Sequence, residues 1–119
     1  MRPTEIVYLA QPYTHSDPWV RQERYLQAVK ASAILTQRGV IVYSPIMHSH
    51  PINWVGKNSD DVHAFWMRLH SPFIQVCGKV LVLKLDGWER SKGVADEIEQ
   101  ALRLKIPVEY AEMDDLARM

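Results

Sequence analysis

The chain has 119 residues, and fourteen Lys and Arg balance fourteen Asp and Glu. That length fits a single domain over residues 1–119, able to bury a core without staples or a structural metal. A zero net charge speaks against a nucleic-acid polymer as partner, because phosphate-backbone binding leaves a basic excess. One cysteine, Cys77, cannot form an internal disulfide, so a reducing compartment is expected and the cytoplasm is the default. Cys77 reads as a small buried hydrophobe. The start shows no secretory leader, and no apolar run approaches the roughly 20 residues of a membrane helix.

Residues 6–10, Ile-Val-Tyr-Leu-Ala, are short, apolar and β-branched at their start, as in a buried strand. A polar loop, 11–17, follows. Asp17 is placed to cap a helix with Pro18 at its first position. The helix runs to about Arg38, with Tyr25, Leu26, Val29, Ala33 and Leu35 near a 3.6-residue period, and Gly39 stops it. A second strand is predicted over 40–43. A long connection then spans about 44–59 and contains Pro45, His48, His50, Pro51 and Gly56. In a compact domain such a length is often functional.

Ser59 or Asp60 is placed to cap a helix through about Val76, with Pro72 predicting a kink or break near His70. Residues 80–83 form a uniformly apolar third strand, as strands covered on both faces do. A turn-rich loop, 86–90, leads to Ser91, the expected cap of a helix ending near Leu104. Residues 106–110 form a last strand, near an edge because of Pro107. A terminal helix is expected over 112–118.

Strands that alternate with helices imply a parallel sheet with helices on both faces. The expected architecture is α/β and three-layered, a flavodoxin- or Rossmann-like sheet of four to five strands. Ligands bind such sheets beyond the carboxyl ends of the strands, where strand order reverses. The loops there carry Tyr13, His48, His50, Asp86, Trp88, Glu89 and Ser91. The start of the 91–104 helix suits an anion, since its free N–H groups and dipole favour negative charge, and Gly93 allows close approach. On that helix Val94, Ile98, Ala101 and Leu102 form the apolar stripe, Glu97 and Glu99 flank it, and Asp96 points away. Periodicity alone does not choose between the two glutamates; Glu97 is nearer the ligand-binding end.

Tyr8-Leu9-Ala10-Gln11-Pro12-Tyr13 resembles the Tyr-Leu-Ala-Gly-Pro opening of nucleoside 2-deoxyribosyltransferases. Gly93-Val94-Ala95-Asp96-Glu97-Ile98, with Ala101, is similar to that family's Gly-x-x-x-Glu-Leu-Gly-x-Ala motif. The stretch from Gly87 to Gly93 looks closest to small bacterial relatives with Gly-Trp-Glu-x-Ser-x-Gly. The resemblance covers roughly residues 5 to 110. It implies that Glu97 attacks C1′ of a nucleoside or nucleoside 5′-monophosphate and forms a covalent glycosyl-enzyme. It implies ligand contacts from Gln11, Tyr13 and Ser91; Asp86 and Trp88, by their place on the third loop, and Gly93, at the helix start, complete the expected substrate-binding set.

The chain departs from the family in three places. His70 and Ser91 stand where the transferases carry aspartates, and Glu99 replaces the motif's second glycine. His70 is the expected proton donor to the leaving base, with an ordinary pKa near neutrality. Ser91 leans toward a phosphorylated substrate and N-glycoside hydrolysis rather than base exchange. Such a mechanism needs no metal and no cofactor. The expected partner is a small nucleoside or nucleotide, with further copies of the chain in a homo-oligomer. Trp54, Phe65, Trp66 and Trp88 serve either its interface or the core. A different class is a non-catalytic nucleotide-binding module with a degenerate site. A third is a metal site built from His48 and His50 with His63, His70 and Asp60 or Asp61.

Overall fold

The computed structural model describes residues 5–56 and 63–119. Four strands form one all-parallel sheet: β1 (Ile6–Ala10), β2 (Ile41–Tyr43), β3 (Lys79–Leu83) and β4 (Val108–Ala111). Their order across the sheet is β2-β1-β3-β4. Strand order therefore reverses between β1 and β3, and β4 lies at an edge as Pro107 predicts.

Side-chain alternation sorts the core into two layers. Val7 and Leu9 of β1, with Leu81 and Leu83 of β3, pack against Ala31 and Leu35 of α1 (Pro18–Gln37). Leu116, in a C-terminal 3-10 turn (Met113–Arg118), joins them where a terminal helix is expected. Tyr8 and Ala10, with Val80 and Val82, face the other way. There they meet Ile74 of α3 (His63–Gln75) and Val94 and Ala101 of α4 (Lys92–Arg103). The result is a three-layer α/β fold with helices on both faces of the sheet.

The expected caps hold. Asp17 accepts from the Trp19 N–H at 2.9 Å with Pro18 at the first position of α1, and Gly39 sits at φ +84° just past its end. The buried face of α1 differs from the expected one. Ala28, Ala31, Ser32 and Leu35 are buried, whereas Leu26 and Ala33 are exposed. Small side chains on this face let the helix axis approach the sheet closely, and that outweighs the larger residues of the alternative stripe.

Residues 44–59, expected as a long loop, are largely a helix, α2 (Pro45–Gly56). Ser44 accepts from the Met47 N–H at 3.2 Å, so Ser44-Pro45 repeats the Asp17-Pro18 cap. Pro51 sits inside α2 without ending it, and α3 likewise continues through Pro72 rather than breaking near His70. The start expected for that second helix, Ser59 or Asp60, lies outside the described residues. Among the described residues no helix is long and apolar enough to cross a membrane.

Candidate active site

A cavity of about 610 Å³ opens at the carboxyl ends of β1 and β3, where strand order reverses. Its walls are the loop after β1, the start of α2, the α3 face carrying Trp66, Met67 and His70, and the turn leading into α4. Of the residues singled out in the sequence, Gln11, Tyr13, His70, Asp86, Ser91, Gly93 and Glu97 all line it. They come from three separate stretches of chain: the loop after β1, α3, and the turn into α4 with α4 itself.

Glu97 lies at its floor. It is buried, and its Oε2 accepts from the Tyr8 hydroxyl at 2.5 Å. Val94, Glu97 and Ala101 form the buried stripe of α4, while Leu102 and Glu99 are exposed. Val94 and Ala101 keep their expected place, but the buried face is turned away from Leu102 and toward Glu97, which lies within it. Glu99 instead forms an ion pair with Arg103 at 2.6 Å on the surface. Asp96, expected to point away, is close enough to act on Glu97 through its charge.

Burial dominates the electrostatics of this floor. It pushes the Glu97 carboxyl up to about 8; the Tyr8 hydrogen bond opposes that rise and the Asp96 charge adds to it. Glu97 is therefore mostly protonated at pH 7. Tyr8 is raised far above its ordinary range by burial and by Glu97, and Tyr43 is pushed up to about 12, chiefly by burial. His70 moves the other way. Burial and the nearby His48 lower it to about 4, so it is neutral at pH 7 and not the standing acid expected from its ordinary pKa. Its Nδ1 lies 3.3 Å from the Tyr43 hydroxyl, and Trp66 stacks on its ring at 6.0 Å between centroids.

The mouth is basic. Arg24, Arg90 and Lys92 line it, and none stood out in the sequence. Arg90 and Lys92 flank Ser91 inside the motif, which was the available signal; Arg24 comes from α1, and nothing local marks it. Arg24 donates to the Thr14 carbonyl at 3.1 Å and the Asp86 carbonyl at 3.3 Å, so it ties the first loop to the third. Gln11 donates to the Arg24 carbonyl at 3.0 Å, which fixes the same corner. Ser91 accepts from the Val94 N–H at 3.2 Å as the cap of α4, and its own O–H remains a donor.

Trp88 is not at the cavity. Gly87, at φ +88°, turns the chain tightly, and the indole packs on the core and on Tyr110 at 5.6 Å between centroids. Glu89 is exposed and lies off the cavity. His48 and His50 do not converge either. His48 faces Tyr43, Phe73 and His70, whereas His50 faces Tyr13 and Tyr25. They sit two apart on a helix, so they point about 200° apart around its axis. Asp60 and Asp61 lie outside the described residues, among which no group of three His, Cys, Asp or Glu is placed to hold a metal ion. Cys77 is buried, donates to the Phe73 carbonyl at 3.1 Å, and has its thiol pushed up to about 11 by burial.

A family model described as a domain of unknown function (DUF1937) matches residues 5–113. The chain belongs to that family. In this DUF1937 chain the matched span runs from before β1 to past β4 and contains every residue of the cavity wall. No curated protein matches the chain.

Proposed function

We propose that the protein is an N-glycosidase of the deoxyribosyltransferase-like kind, acting on a nucleoside or nucleoside 5′-monophosphate with Glu97 as nucleophile. The observation that carries this reading is a buried carboxyl in the cavity at the β1–β3 reversal, with one oxygen held by Tyr8. Tyr8 holds Oε2, so Oε1 is the attacking oxygen. In the first step the C1′–Oε1 bond forms and the C1′–N bond breaks, with its electron pair going to the base nitrogen. The resting proton of Glu97 balances the step, since the carboxyl loses one proton and the departing base gains one. Water then attacks C1′, the electron pair of the C1′–Oε1 bond returns to Glu97, and the proton that the water loses restores the neutral carboxyl.

The basic mouth and the open N-terminus of α4 support a phosphorylated substrate, because an anion there meets Arg24, Arg90, Lys92 and the Ser91 hydroxyl. Trp66 offers an aromatic wall for a base. A lone buried thiol suits a reducing compartment, and the cytoplasm belongs to the same reading. So does assembly with further copies of the chain, supported by the exposed apolar row Phe65, Leu69 and Phe73 on α3, with Val76 just past its end.

A second reading, a non-catalytic nucleotide-binding module, draws on the neutral state of both Glu97 and His70 at pH 7. One experiment separates the two. The protein is incubated with a panel of ribo- and deoxynucleosides and their 5′-monophosphates, and released base is measured by chromatography beside Glu97→Ala. Base release lost in the variant supports the enzyme. Nucleotide binding without release from any substrate supports the module.

A further inference from the structure

Beside the glycosyl step, a second set of groups stands at the cavity wall. Tyr13 lines the cavity, and its hydroxyl oxygen lies 2.5 Å from Nδ1 of His50 on α2. On the far side of the same ring, Nε2 lies 2.9 Å from Oε1 of Gln22 on α1. An amide oxygen only accepts, so Nε2 carries the proton of the neutral ring. Nδ1 is then the acceptor, and the Tyr13 hydroxyl donates to it. Tyr25 stacks on the imidazole at 4.5 Å between centroids and 24° between planes, which fixes its orientation. Burial raises the Tyr13 hydroxyl above its ordinary range, so it rests protonated, and the Arg21 charge opposes that rise.

This is the order of parts in a relay: a hydroxyl on a residue of the cavity wall, a base that takes its proton, and a third group that sets the tautomer of that base. We infer that Tyr13, His50 and Gln22 form a proton relay that activates the water which releases the sugar from Glu97. The inference rests on the glycosidase reading. As the water oxygen bonds to C1′, its proton passes to the Tyr13 oxygen while the Tyr13 proton passes to Nδ1 of His50. The C1′–Oε1 bond breaks and its electron pair returns to Glu97. One proton then moves from the His50 imidazolium through solvent, and Glu97 regains its resting neutral form.

The charged and titratable groups facing His50 are Arg21 and Tyr25 from α1 and Tyr13 from the first loop. Burial and then the Arg21 charge lower His50 below its ordinary 6.5. The ring is therefore neutral and able to accept at pH 7. As pH falls through that lowered value the ring takes up a proton, and the relay stops.

The test uses the full chain with Tyr13→Phe and His50→Gln, each checked for an unchanged melting temperature. The substrate is whichever panel member gives base release with the wild type. Rapid-quench base release and intact-protein mass are followed together. Each variant is expected to release about one base per enzyme molecule, to accumulate the sugar adduct, and to turn over roughly a hundredfold more slowly afterwards. The fall of the wild-type turnover rate on the acid side is expected to vanish in His50→Gln. Turnover and acid limb equal to the wild type overturn the relay and leave the glycosidase standing. No base release from any wild-type substrate overturns both. A third arm needs no substrate: ¹⁵N NMR of the ligand-free protein is expected to show His50 protonated on Nε2, and protonation on Nδ1 overturns the relay.

Discussion

Val7 and Leu9 leave β1 on the side of α1, and Tyr8 leaves it on the side of α4. All three are buried to the same degree, yet the α1 side meets them with Ala31 and Leu35, while the α4 side sets a glutamate against the tyrosine. A leucine at position 97 offers the same packing without the cost of desolvating a carboxyl. The difference assigns separate tasks to the two layers. The α1 layer holds the sheet together; the α4 layer gives up stability to keep a carboxyl at the cavity floor.

The sharpest way to break this comparison is to remove the acid alone. Glu97→Gln keeps an acceptor for Tyr8 but cannot form the glycosyl-enzyme, so base release is expected to fall more than about a thousandfold, measured by chromatography. Leu81→Ala sharpens it from the other side. A cavity in the α1 layer is expected to cost about 2–5 kcal/mol in urea unfolding, with activity per folded molecule retained.

Next comes the pH dependence of stability. The folded-state value of Glu97 is raised from 4.5 to about 8, so between those values the folded protein binds more protons than the unfolded chain. Stability contributed by this group is therefore full below about pH 4.5 and is lost as pH rises toward and through 8. Glu97→Gln does not titrate, so its melting temperature is expected to gain on the wild type across that window and to stay ahead above it. His70 has the opposite sign. Its value falls from 6.5 to about 4, so its stabilising contribution is present above 6.5 and is lost as pH falls through 4. Glu99→Ala is the smallest change. It removes an exposed pair with Arg103, about 0.3–0.5 kcal/mol, and leaves base release unchanged.

Most of the scaffold was legible in the sequence because its signals are local. Apolar β-branched runs mark three of the strands, Asp17-Pro18 and Ser91 mark helix starts, and Pro107 marks the edge. The same local logic was available at Ser44-Pro45, but Pro51 and Gly56 masked it and α2 read as a loop. The cavity's position followed from strand alternation, and Glu97 from its motif. Contacts between distant stretches were not legible. Tyr13 and His50 are 37 residues apart, and Tyr8 and Glu97 are 89 apart, so no periodicity could pair them. The face of Trp88 depends on the φ of Gly87, and the charge state of His70 depends on burial; neither is a property of local sequence.

The central claim is that Glu97 bonds to the sugar, and peptide mapping tests it most directly. Wild-type protein is quenched during turnover, digested and read by mass spectrometry. The account predicts a sugar mass on the peptide containing Glu97, absent from Glu97→Gln. Base release with that peptide unmodified at every quench time, or with the sugar on another residue, contradicts it.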